Sequence, residues 1–166
     1  MTLAAAVVLL ATSAGAAEYL DTVQSSIFEA PFDHKVLSRR AAICLSQNAG
    51  ISGQTMQTDI DGGTVVGASL FSYSSGGIPW SVKSTLTFEA KDGRFRLTHS
   101  NLAQKQGGPA IPESWSILSG SVNQSAEGGW IRVGKWSFSG YKKVEGAAQA
   151  MSQRIATCVQ SLHSDW

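Results

Sequence analysis

Polar and apolar residues alternate through Trp80–Lys91 and again after a two-residue break. Trp80, Val82, Ser84, Leu86, Phe88 and Ala90, all apolar or small, hold every second position, and Ser81, Lys83, Thr85, Thr87, Glu89 and Lys91 fill the places between. A period of two over that length predicts a half-buried strand. Asp92-Gly93 is a tight-hairpin dipeptide, and the turn it predicts has positive φ at both central residues. The return strand keeps the alternation through Phe95 and Leu97 and is expected to end near Asn101. A two-residue turn fixes the register: Lys91 faces Arg94, Glu89 faces Arg96, Thr87 faces Thr98 and Leu86 faces His99. One face of this hairpin is oily (Leu86, Phe88, Phe95, Leu97) and the other starts polar.

The remaining elements follow from similar patterns. Ser25–Ala30 is a weak strand closed by Pro31. Asp33 is a helix N-cap and Gly50 a natural stop, so a helix is predicted over His34–Asn48, with Leu37, Ala41 and Cys44 on its inner stripe and Arg39 and Arg40 solvated at its margin. Gln54–Ile60 and Thr64–Tyr73 read as strands joined by Asp61-Gly62-Gly63, with Val66, Ala68 and Leu70 on one side of the second and Val65, Phe71 and Tyr73 on the other. Leu102–Pro112 reads as a loop, and Trp115–Val122 with Trp130–Tyr141 as a second hairpin whose orientation the pattern does not fix. Val144, Ala148, Met151, Ile155, Cys158 and Leu162 form a narrow seam that predicts an amphipathic helix, with Gln149, Ser152, Gln153 and Gln160 on its polar side. The predicted fold is α+β. An antiparallel sheet of about five strands carries two helices on one face, in the order β-α-β-β-β-β-α, with a Trp-rich insertion over residues 102–141.

The N-terminus changes where this domain is expected to reside. Residues 1–17 have no charged side chain, an apolar run at Leu3–Ala11 and small residues at Ala14–Ala17. That is the pattern of a signal peptide cleaved at about Ala16/Ala17, too short to span a bilayer. Residues 18–166 then form one domain, periplasmic or secreted, with no membrane span. In an oxidising compartment Cys44 and Cys158 are expected to pair, since each lies on the inner stripe of a helix covering the same sheet face; two separate buried thiols are the alternative. The formal charge of +1 gives no electrostatic pull toward nucleic acid. His34, His99 and His163 show no metal-ligand spacing, and no cofactor motif is present.

The segment Phe88-Glu-Ala-Lys-Asp-Gly-Arg-Phe-Arg96, following a helix and a glycine-containing strand, resembles a bacterial exported family of unknown function with a TBP-like (TATA-box-binding-protein-like) fold. Members of that family show a Lys-Asp-Gly-Lys/Arg-aromatic-Arg hairpin, and the resemblance runs over about Ser25–Asn101. It implies a similar order of elements and carries over no catalytic residue. The fold name compares shapes and does not imply DNA binding.

The candidate ligand-binding surface is the polar sheet face, Lys83, Thr85, Thr87, Arg94 and Arg96, flanked by Trp115, Trp130 and Trp136. Each member also has a plainer reading. Glu89 opposite Arg96 is either an exposed ion pair or a fixed guanidinium able to grip a carboxylate or phosphate. The tryptophans either fill core or line a groove for a sugar, peptide or lipid. His99 shares the parity of Phe95 and Leu97, which favours a core-edge histidine holding a backbone carbonyl over a general base. These readings predict a non-enzymatic envelope module, monomeric or weakly associating, that binds a partner protein or small ligand. Two alternatives stand beside it: a hydrolase using His99 or His34, and a structural subunit pairing through a sheet edge.

Overall fold

The computed structural model describes residues 18–49, 56–107, 129–135 and 140–162. Strands β1 (Thr22–Gln24) and β2 (Phe28–Glu29) precede helix α1 (His34–Asn48). Strands β3 (Gln57–Asp59), β4 (Thr64–Ser75), β5 (Ile78–Lys91), β6 (Arg94–Gln106) and β7 (Ile131–Arg132) follow, and helix α2 (Tyr141–Ser161) closes the fold. All seven strands belong to one antiparallel sheet, ordered β1-β6-β5-β4-β3, with β2 and β7 also paired to β6. The predicted strand Ser25–Ala30 is thus reduced to β2, and β1 is a separate short strand ahead of it. β2, β1 and β7 line up along the outer edge of β6, opposite Phe95, His99 and Gln104 in turn.

The central hairpin has the register set by its turn, with Lys91 opposite Arg94, Glu89 opposite Arg96 and Leu86 opposite His99. Its turn differs in one respect: Gly93 has φ 80°, whereas Asp92 does not adopt positive φ. The neighbours explain this. Asp92 Oδ1 accepts the His34 backbone N–H at 2.9 Å, and the Gly93 N–H donates to the Phe32 carbonyl at 2.9 Å, so the turn is pinned onto the start of α1.

β6 does not stop at Asn101 but runs on to Gln106, so Leu102–Gln106 is strand rather than loop. The alternation hides this because the register shifts between Lys83, opposite Ala103, and Thr85, opposite Ser100. β6 carries one extra residue there, a β-bulge, with Asn101 at φ 54°. Before the bulge Phe95, Leu97 and His99 are buried; after it Leu102 and Gln104 are. β5 likewise begins at Ile78, two residues before the first predicted position.

Both helices cover the face that carries Leu86, Phe88, Phe95 and Leu97, and pack against each other. α1 begins as expected, the Asp33 carboxylate accepting the Val36 N–H at 2.8 Å. Leu37, Ala41, Cys44 and Leu45 are buried beneath it. α2 starts at Tyr141, so Tyr141 opens a helix rather than ending a strand. Its N-cap is Gly140 at φ 74°, where a β-carbon would meet the Tyr73 hydroxyl at 2.9 Å. Its buried stripe is Val144, Ala148, Met151, Ile155 and Val159, widened by Ser152 and Ala156. Ser152 therefore faces the core, contrary to its predicted place on the polar side. Cys44 and Cys158 form a disulfide between the helices, with Cα atoms 5.8 Å apart.

The outer edge of β4 is partly covered by β3, at Thr64–Val66. Beyond that the Leu70 N–H donates to the Ala49 carbonyl at 3.0 Å, and Lys143 Nζ reaches the Ser74 carbonyl at 3.1 Å. A lysine and a helix end on a strand margin blunt it against pairing with another chain.

Candidate functional site

The face opposite the helices presents Lys83, Thr85, Thr87, Glu89 and Lys91 from β5, and Arg94, Arg96, Thr98 and Ser100 from β6. Burial alternates strictly here. Leu86, Phe88, Phe95 and Leu97 lie in the core, while Thr85, Thr87 and Thr98 are half-buried and Lys83, Arg94 and Arg96 exposed. β4 adds Val66, Ala68 and Leu70 to the same face, opposite Thr87, Thr85 and Lys83. The pleat accounts for this arrangement: every residue between two core positions must point the other way.

Two ends of this strip are chemically distinct. At the turn end Arg96 Nε donates to Glu89 Oε2 at 2.7 Å, with the side chains 45% and 44% exposed. That contact raises the Arg96 guanidinium above its ordinary range. Beside the pair lies a depression of about 300 Å³ lined by Ile27, Thr64, Glu89, Lys91, Arg94 and Arg96. At the other end Lys83 Nζ stands 5.0 Å from the centre of the Trp130 ring, a cation–π contact. Glu89 lies six positions after Lys83, roughly 20 Å along an extended strand. The structure thus pairs Lys83 with Trp130 and Arg94 with Arg96, joined by a row of threonines, rather than gathering all into one pocket. Trp115 and Trp136 lie outside the described residues.

His99 is fully buried and belongs to a polar chain inside the core. Ser69 Oγ lies 2.6 Å from Ser84 Oγ, Ser84 Oγ 3.0 Å from His99 Nδ1, and His99 Nε2 3.2 Å from Ser152 Oγ. The Ala148 backbone also bonds the ring. Each serine hydroxyl can donate or accept, so the chain is satisfied with the proton on either ring nitrogen. Burial pushes the His99 pKa down to about 4, keeping the ring neutral. The expected carbonyl partner is present, but His99 sits inside the core rather than at its edge, and two serines share it. Ser69 and Ser84 face each other in the β4–β5 register, both at core parity. Polar residues in apolar slots of neighbouring strands were the available signal for this chain.

His34 has a different partner. Its Nδ1 lies 2.7 Å from Asp92 Oδ1, the same oxygen that accepts its backbone N–H. These bonds hold the Asp92 carboxyl below the usual carboxylate range. Asp92 thereby places negative charge at the N-terminus of α1, where the helix dipole favours it.

Arg40 is 7% exposed, not solvated. Its Nη1 donates to the Val159 carbonyl at 3.1 Å, in the last turn of α2, and its guanidinium lies 3.7 Å from the centre of the Phe32 ring. It complements the helix C-terminus and stacks on an aromatic face at once. Among the described residues no group of three or more His, Cys, Asp or Glu is placed to hold a metal ion, and no helix is long and apolar enough to cross a membrane.

No family model matches the sequence, and no curated protein sequence matches it. Solved structures do resemble it. A TBP-like protein from Parabacteroides distasonis superposes with a TM-score of 0.58 at 9% identity, covering 86% of this chain and 94% of that one. A DUF4468 family protein from Bacteroides ovatus superposes with a TM-score of 0.50 at 12% identity, covering 92% and 95%. Neither description names an activity. At such identities the likeness concerns shape, and function has to be argued from the site. The chain has the TBP-like α+β fold that its central hairpin and two same-face helices imply.

Proposed function

We propose that the protein is a non-enzymatic binding module of the bacterial envelope, and that its ligand lies along the polar sheet face from the Lys83–Trp130 contact to Arg94 and Arg96. One observation carries this reading: both helices take the opposite face, leaving Lys83, Arg94 and Arg96 exposed on a sheet whose strands are held from beneath. A rigid sheet with cations and an aromatic at its two ends favours binding of an elongated partner or ligand over chemistry. The burial of His99 favours a structural role, because a base sealed in the core touches no substrate. The Cys44–Cys158 disulfide supports export, since such a bond persists in an oxidising compartment.

Photo-crosslinking in intact cells tests the proposal. A photoreactive amino acid at Thr85 or Thr87 is expected to give adducts, identified by mass spectrometry, that disappear when Lys83 and Arg94 are both changed to alanine. The same probe at Gln153, exposed on α2, is the control. Equal labelling at all three positions, or labelling at Gln153 alone, overturns the proposal.

A further inference from the structure

The turn end of the polar face has an electrostatic imbalance. Lys91 and Arg94 sit directly opposite each other across the hairpin, and neither forms an ion pair with any described residue. Like charges in direct register repel. Arg96 adds a third cation to the same depression, and Glu89 supplies the single carboxylate of its lining. Glu29, in register with Arg94 on the other side, forms no ion pair with it either. Glu89 takes only Nε of Arg96, so the planar fork of that guanidinium is oriented while its Nη donors stay free of protein partners among the described residues. Ile27, 61% exposed, forms an apolar rim beside these charges.

We propose that this depression binds an oxyanion, a carboxylate or a phosphate group, borne by the ligand that lies on the polar face. Arg94 and Lys91 meet the negative charge, and Arg96, steered by Glu89, offers its paired Nη donors to two oxygens at once. A guanidinium fork matches the geometry of both groups. Ile27 accommodates whatever apolar stem carries the anion. This assignment deepens the binding-face reading and rests on it.

The test is a titration of nitrogen-15-labelled protein followed by amide NMR shifts at constant ionic strength, with inorganic phosphate, succinate and chloride as probes. Phosphate or succinate is expected to shift the amides of Lys91–Arg96 and Ile27 saturably, with a Kd on the order of 1–10 mM, and chloride is not. The tighter of the two names the oxyanion. Arg94→Gln, at an exposed position, is expected to leave the rest of the spectrum in place and weaken binding about tenfold. Shifts that do not saturate, that chloride reproduces, or that survive both Arg94→Gln and Lys91→Gln overturn the assignment. The two readings fail separately. If these anions leave the turn end unmoved while Thr85 and Thr87 still crosslink, the oxyanion site falls and the binding face stands. If the anions bind and the crosslinks are absent, the envelope-binding reading falls and the anion site stands.

Discussion

Replacing His99 with glutamine removes a titratable group sealed in the core while keeping a donor and an acceptor for Ser84 and Ser152. Burial lowers the folded-state pKa from 6.5 to about 4. The unfolded chain therefore binds a proton more readily than the folded one between those values. The stabilisation is fully present above pH 6.5 and is lost as pH falls toward about 4. The depression converts to about 3 kcal/mol at most. Urea unfolding followed by circular dichroism, on wild type and His99→Gln at a series of pH values, isolates this contribution. The surface carboxylates titrate alike in both proteins and cancel in the difference. The stability of wild type relative to His99→Gln is expected to fall by up to about 3 kcal/mol across that window. A difference that stays constant with pH would refute the burial of a neutral imidazole.

The disulfide spans 114 residues, so loop entropy predicts that changing Cys44 and Cys158 together to alanine costs up to about 5 kcal/mol in urea unfolding; an unchanged midpoint would contradict that. At Arg40 one buried atom, Nε, has no hydrogen-bond partner among the described residues. Arg40→Met, which fills the buried space with an unbranched apolar side chain and leaves no unpaired nitrogen, is therefore expected to cost about 1–2 kcal/mol less than Arg40→Ala, measured the same way. Gly63 has φ 71° and a β-carbon there would lie 2.6 Å from the Ala90 carbonyl oxygen, so Gly63→Ala is expected to lose about 2 kcal/mol or more by thermal unfolding. Sequencing the N-terminus of protein recovered from the periplasm or medium is expected to find Ala17 or Glu18 first, whereas an intact Met1 contradicts cleavage.

The periodic parts of the chain carried the fold. Alternation over Trp80–Lys91 gave strand, register and inner face together, because the pleat permits no other assignment. The narrow seam of α2 similarly placed Cys158 toward α1. Where the period breaks, the local pattern no longer marks the strand: the bulge at Asn101 moves the core parity of β6 by one residue, so Leu102–Gln106 has the pattern of a loop. Residue type alone points Ser152 and Arg40 outward. Each is held inside by a partner remote in sequence, His99 for the serine and the Val159 carbonyl for the arginine. Such pairings depend on how the helices settle on the sheet, which no local pattern records. Of the candidate site, the polar strip was evident from the pleat. Its division into a Lys83–Trp130 end and an Arg94–Arg96 end was not, because that follows from where β7 docks on β6.

The central claim is that the sheet face opposite the helices stands open to a ligand. Thiol labelling tests it directly, because the native cysteines are both in the disulfide and a single introduced cysteine reports alone. Thr85→Cys and Thr87→Cys are predicted to react with a maleimide in the folded protein at rates close to that of Lys83→Cys. Ser84→Cys, pointing into the core, is predicted to react only on unfolding. Protection of the two threonine positions to the level of Ser84→Cys would show the face covered and contradict the account.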